Sequence, residues 1–300
     1  MFRRAAPQGS GSRASTRHAS LVALTLACGV AGVILGACTA GCEALVGIPS
    51  VTLGLDASDS PATLGDAAPC QRTPDGAPRA GPDMVLIEAG AHSYCIDTTE
   101  VTVSQFNAYV ENSGAMIDTP PACDAALPTP LADQNPLDQQ LPVGNLGECH
   151  AWSYCRWAGK RLCGALGDGG SVVGVTPQDT EWVYACINGA QNLAYPYGET
   201  YQAGVCNIDD PDGGPVPVMS KMGCHGKIPP FDRIYDMVGN VQEFMNDLEG
   251  NGSSVAGWGG YWSTSSTETT QYGGGCLDQN GFNGVIYDFT QSGFRCCADP

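Results

Sequence analysis

The chain has 300 residues, with 13 Lys+Arg against 31 Asp+Glu and a formal net charge of −18. It is long enough to bury a full core in one large or two small domains, and it has too few clustered cations for counterion release from nucleic acid, which excludes that partner. Forty Gly and 21 Pro beside 43% hydrophobic residues describe a loop-rich globular protein of short elements, neither a disordered polymer nor a helical bundle.

Residues 1–20 carry Arg3, Arg4, Arg13 and Arg17 and no acid, and residues 21–37 are an uncharged apolar run. A basic segment before such a run reads as a signal peptide over 1–37. The run is too short and too rich in Gly and Ala for a spanning helix. It ends in Leu35-Gly36-Ala37-Cys38, which resembles the bacterial lipobox, so Cys38 is expected to take lipid and become the new N-terminus. Cys42 lacks the aliphatic residue three positions earlier. The expected location is the cell envelope, anchored in a membrane through lipid, the outer one in preference to the inner. Removal of 1–37 leaves 9 basic against 31 acidic side chains, net −22.

Residues 38–82, with Asp56-Ala-Ser-Asp-Ser-Pro61 and Pro74-Asp-Gly-Ala-Pro78, read as a flexible tether. The domain is expected over 83–300, opening on a strand at Met84-Val-Leu-Ile87. Thr102-x-x-Gln105 is a capping box for a helix through Asn112, with Phe106, Tyr109 and Val110 on one face and Gly114 as its stop. A second helix is expected from Glu148 to Ala158. A third should start at Thr176-Pro177 and carry Trp182, Val183 and Cys186. Turn signals punctuate the rest, as in Tyr195-Pro-Tyr-Gly198, so strands there must be short.

Twelve cysteines lie between Cys70 and Cys297. An even dozen in an exported chain reads as a disulfide framework. No C-x-x-C pair occurs, and Cys149, Cys155 and Cys163 are not spaced as zinc ligands. Cys206 and Cys224 flank a compact Pro/Gly loop and make a plausible local pair on loop length.

Eight phrases stand in order: Met84-Val-Leu-Ile-Glu-Ala-Gly90, Cys95-Ile-Asp-Thr-Thr-Glu-Val-Thr102, Trp157-Ala-Gly-Lys-Arg-Leu162, Glu181-Trp182, Tyr195-Pro-Tyr-Gly198, Tyr235-Asp-Met-Val-Gly-Asn-Val-Gln-Glu243, Gly259-Gly-Tyr-Trp262 and Gly293-Phe-Arg-Cys296. Together they resemble the formylglycine-generating enzyme (sulfatase-modifying factor) family across about residues 83–298. The resemblance implies an α+β fold, a variant of the C-type lectin fold with little regular secondary structure. It also implies bridges Cys155–Cys296 and Cys186–Cys276.

That family oxidises a cysteine of sulfatases to formylglycine with molecular oxygen, using two cysteines that hold Cu(I). The resemblance places those positions at Thr264 and Thr269, and threonine cannot supply the soft thiolate that Cu(I) needs. Trp258 and Tyr261 replace the usual arginine and serine nearby. Copper is therefore not expected. His92, His150 and His225 show no metal spacing, and His150 reads as a surface or capping residue. Asp209-Asp210-x-Asp212 reads as a solvated turn. The resemblance further implies a structural Ca²⁺ on Asp236, Gly239, Val241 and Glu243, a set of oxygen donors that suits a hard cation. Asn207-Ile208 matches half of a second such site.

Two functions follow. One is a non-catalytic binding or scaffolding domain for a peptide, glycan or envelope protein, using the polar loop 263–275. The other is a formylglycine-generating or different oxidation with other ligands.

Overall fold

A computed structural model describes residues 69–112, 123, 139–247, 255–265, 274–282 and 291–300. Cys38, the tether up to residue 68, Gly114 and Thr269 lie outside the described residues. The strands are β1 (Met84–Ala89), β2 (His92–Asp97), β3 (Arg161–Leu162), β4 (Gln242–Phe244), β5 (Val255–Trp258), β6 (Gln279–Phe282), β7 (Ser292–Phe294) and β8 (Cys296–Ala298), and the α-helices are α1 (Val103–Asn112), α2 (Glu148–Trp157) and α3 (Glu181–Cys186). Short strands and three short helices fit a chain so rich in Gly and Pro. Among the described residues no helix is long and apolar enough to cross a membrane.

The strands form two four-stranded sheets, in the orders β1-β2-β8-β3 and β6-β5-β4-β7. The pairing of β4 with β7 is parallel, Gln242 opposite Ser292 and Phe244 opposite Phe294. A single residue, Arg295, separates β7 in one sheet from β8 in the other.

Each helix has a local cause. In α1, Gln105 N donates to Thr102 Oγ1 at 3.3 Å and Thr102 N donates to Gln105 Oε1 at 2.9 Å, the reciprocal capping box. At α2, Gly147 N donates to the His150 ring Nδ1 at 3.1 Å, and His150 is buried. The third helix is not the single element expected from Thr176. A 3₁₀ turn covers Pro177–Asp179, and α3 begins only after Thr180, whose hydroxyl accepts from Val183 N at 3.4 Å. Thr180 is held extended because it forms a β-bridge with Ala165, and Glu181 N donates to Gly164 O at 2.8 Å. That bridge to a sequence-distant residue overrides the propensity to run on from Pro177.

Two apolar cores flank β8. Phe106, Tyr154 and Phe294 pack with ring centroids 5.3–6.4 Å apart in one, which also holds Cys155 and Cys296. The other holds Ile87, Tyr94, Trp182, Met237 and Trp258 with Cys163 and Cys297. Successive strand residues face opposite ways, so neighbouring Cys296 and Cys297 staple β8 to both: Cys155–Cys296 and Cys163–Cys297 are bonded. The other bridges are Cys70–Cys95, Cys123–Cys149, Cys186–Cys276 and Cys206–Cys224. All three pairs named from the sequence are among these six.

Glu148, at the start of α2, is fully buried. One oxygen accepts from Asp247 N at 2.8 Å and the other has no partner among the described residues. Burial pushes its carboxyl well above the usual range, the Asp247 charge adds to this, and the Asp247 N–H opposes it. An acid raised in the folded state favours folding only while protonated, so its contribution is full below about pH 4.3, its unfolded value, and fades as pH rises toward the folded one. Glu148→Gln keeps the acceptor without the charge. Thermal melts should show the variant gaining on the parent as pH rises from 4 to 8, with the two nearest each other at the acid end.

Candidate functional site

The Tyr235–Glu243 segment turns back on itself through residues in the left-handed region. Gly239 has φ +77°, and a Cβ there would lie 2.3 Å from Asn207 O, so only glycine fits without displacement. Asn240 follows at φ +58°, a conformation that Asn tolerates. Its backbone N donates to Asn207 O at 2.7 Å, and Asn207 Nδ2 donates to Asn240 Oδ1 at 3.1 Å. Glu100 holds the same turn from the other side, accepting from Asn240 Nδ2 at 2.9 Å and from Val241 N at 3.3 Å. Gly259, at φ +84°, closes the third side: Gly239 N donates to its carbonyl at 2.9 Å. Segments 207–208, 236–243 and 259–264 therefore meet at one turn.

Behind that turn sits Arg295, fully buried. Its Nε and Nη2 donate to the two oxygens of Glu243, each at 2.7 Å, and further bonds reach Asp97 O at 3.2 Å and Tyr235 O at 2.9 Å. Trp182 Nε1 also donates to Glu243 at 2.8 Å. Asp236 accepts from Met219 N at 2.7 Å. Burial, and after it the charges of Asp236 and Glu243, push Glu100 well above the usual carboxylate range. Burial likewise raises Asp236 to about 6, against the Met219 N–H and the charge of Arg295, with Glu243 adding to the rise. Burial alone would lower Arg295, but the charge and hydrogen bonds of Glu243 hold it above its ordinary value.

Three buried carboxylates lie in the field of one guanidinium, which bonds Glu243 alone of the three, and this bears on the calcium expected at Asp236, Gly239, Val241 and Glu243. The expected donors are two carboxylates and two backbone carbonyls, all oxygen, the kind of ligand a hard cation takes. Both oxygens of Glu243 already accept from Arg295, and one also from Trp182, so an ion there would have to share that carboxylate with the guanidinium. Asn207 and Ile208 pack against Gly239, but the Asn207 amide is spent on Gly214 O and Asn240. The described residues supply no carboxylate hydrogen-bonded to it.

Thr264 does not present a free hydroxyl. Its Oγ1 accepts from Tyr261 N and its N donates to Tyr261 O, both at 2.9 Å, while its carbonyl accepts from Asp209 N at 3.0 Å. It is the closing residue of a tight turn over Tyr261-Trp262, both half-buried. Trp258, where the family resemblance expects arginine, is buried in the core. Cys276 is bonded to Cys186. Beside the turn the rings of Tyr195 and Tyr197 stack at 5.4 Å with Tyr201 at 6.1 Å from Tyr195, and Tyr201 OH reaches Asp209 at 3.5 Å. Asp209, Asp210 and Asp212 are exposed, with Asp209 at φ +66°, as a solvated turn should be. A further cluster, Cys163, Glu181 and Cys297, has metal-like proximity. Its cysteines are bonded to each other and Arg161 grips Glu181 at 2.6 and 2.7 Å, so no ligand atom is left to offer.

Sequence reasoning singled out Asp236, Gly239, Val241 and Glu243 but missed Glu100, Trp182, Asn240 and Arg295, which hold them. A signal was present for Arg295, a charged residue inside the apolar phrase Gly-Phe-Arg-Cys-Cys that would bury it; Glu100, after Asp-Thr-Thr, carried none.

Comparison with known proteins adds the following. Residues 87–299 match the model of the sulfatase-modifying factor enzyme 1-like domain. The formylglycine-generating enzyme of Mus musculus is 31% identical over 115 residues, 35% of this chain and 27% of that protein. The serine/threonine-protein kinase pkn1 of Chlamydia caviae is 30% identical over 166 residues, 53% of this chain and 23% of that protein. The matches therefore span about a quarter of each relative's length. Among solved structures, PvdO from Pseudomonas aeruginosa aligns at 19% identity with a TM-score of 0.47 over 73% of this chain and 95% of its own. CarF aligns at 18% identity with a TM-score of 0.45 over 74% of this chain and 97% of its own.

Proposed function

This chain belongs to the sulfatase-modifying factor enzyme 1-like domain family, and on that premise we propose that it is an exported, lipid-anchored member that binds or scaffolds rather than oxidises. One observation carries the reading: the segment that should present thiols presents Thr264, committed to a backbone turn, while its neighbour Cys276 is committed to a disulfide. All twelve cysteines of the described domain are bonded in pairs. Cu(I) chemistry of the family type needs thiolate ligands, and a threonine hydroxyl does not ionise near neutral pH. The surface offered instead is the half-buried Tyr261-Trp262 turn beside Tyr197, Tyr201 and exposed Asp209 and Asp210. Aromatic faces next to carboxylates suit a peptide, a glycan or an envelope protein.

The competing reading is formylglycine generation, favoured by the alignment to the mouse enzyme. The purified protein, given Cu(I), oxygen, a reductant and a Cys-x-Pro-x-Arg peptide, should leave the cysteine unconverted by mass spectrometry. Turnover above a metal-free control would overthrow the binding reading.

The anchor is part of the proposal. Basic residues, an apolar run and Leu35-Gly-Ala-Cys38 support it, as does a disulfide-dense domain, which needs an oxidising compartment. The mature protein should begin at Cys38 and carry acyl mass. An unmodified chain with another first residue refutes it.

Calcium completes the site. When bound it would offset the charge of Asp236 and pin the Gly239-Asn240 turn, a structural role only. Adding Ca²⁺ should raise the melting temperature of chelator-treated protein. Asp236→Ala combined with Glu243→Ala should abolish the rise; equal melts of the parent with and without the ion dismiss the site.

A further inference from the structure

After residue 37 the chain has only nine basic residues. Four of them, Arg79, Arg156, Lys160 and Arg161, line one open cavity of about 320 Å³, with Pro74, Gly159, Ala298 and a single acidic residue, Asp299. In so acidic a protein this concentration works against the average field.

The four cations are not equivalent. Lys160 is buried and spent on Asp97 and on Pro82 O, at 2.5 and 2.9 Å. Arg161 clasps Glu181 through both terminal nitrogens and Asp299 at 2.9 Å. These two form a fixed wall. Arg79 and Arg156 have no carboxylate partner among the described residues. Arg79 donates only to carbonyls, those of Gly159, Cys70 and Asp299, at 2.7–3.1 Å. Those bonds orient its guanidinium without neutralising it. Burial, with the nearby charge of Arg161, holds its pKa below the ordinary value, while Asp299 and Asp97 work the other way. Arg156 is exposed and lies over the Trp152 ring at 5.6 Å, a contact that places it and keeps its charge.

We propose that this cavity binds a phosphate-type oxyanion between Arg79 and Arg156. A guanidinium offers a planar fork of N–H donors that matches such oxygens two at a time, which a point charge cannot do. Arg79 is pre-set by its three carbonyls, so little of its side-chain freedom is lost on binding. The chemistry is common to free phosphate and to the phosphodiester of a lipid headgroup. The cavity borders Pro74 and Arg79, close in sequence to the point where the tether enters the domain.

Calorimetric titrations of the full-length chain with inorganic phosphate and with glycerophosphoglycerol, each against chloride at equal ionic strength, test this directly. Saturable binding of either supports the site. Phosphate alone indicates the free ion, and the diester, alone or better, indicates a headgroup. Arg156→Glu should weaken binding about tenfold or more, the loss of a charge-assisted bond, at unchanged melting temperature. Lys227→Glu makes the same change of net charge at an exposed position outside the cavity and should leave affinity unaltered. No binding of either anion, or equal loss in both variants, overturns the proposal.

Discussion

The guanidinium of Arg295 is the contact on which the rest of the domain depends. It occupies the one position between β7 and β8 where the chain passes from one sheet to the other. From there it grips Glu243 of β4, the carbonyl of Asp97 at the end of β2, and Tyr235 O. Trp182 of α3 completes the carboxylate's shell. A buried ion pair of this kind adds little net stability, because desolvation cancels most of the attraction. Its effect is on geometry. Without a cation at that point, Glu243, Asp236 and Glu100 could not share one small volume.

The backbone around that volume is unusual. Gly239, Asn240 and Asp236 all adopt positive φ within five residues, and each such residue costs something unless its surroundings hold it. Here the holding is done by Glu100, Asn207 and the Gly259 carbonyl. The three segments that the family motif brings together are thus bonded to one another before any ligand is considered. The turn at Thr264 hangs from the same framework through Asp209 and Asp210, whose amides donate to Thr264 O and Trp262 O. A hydrogen-bonded base therefore carries the Tyr261–Thr264 turn.

How much of this was legible in the residues depended on the range of the interaction. The α1 capping box was readable because both partners lie within four positions, and β1 was readable from the short apolar run Met84–Ile87. The start of α3 was misread, since Thr180 is pulled extended by Ala165, a contact made across a fold that local pattern does not reveal. The pairings Cys155–Cys296 and Cys186–Cys276 span 141 and 90 residues; they were reachable only through family resemblance. Arg295 and Glu100 stood in plain view, but their partners are 52 and 140 residues away. Arg79, Arg156 and Arg161 gave no hint of convergence for the same reason.

The place of β8 also has a consequence for how the molecule is made. It is an interior strand of its sheet, flanked by β2 and β3, yet it follows every other strand in the chain. Two adjacent cysteines on it must each find a partner that left the ribosome more than 130 residues earlier. Until β8 arrives, β2 and β3 face an empty slot, and Cys155 and Cys163 are thiols within eight residues of each other. During folding this opens a window in which the wrong partners are nearer than the right ones. Such a domain has to be kept open, or have its early bonds reshuffled, until its last strand is delivered; its demand on disulfide-exchange catalysts is built into the order of its strands.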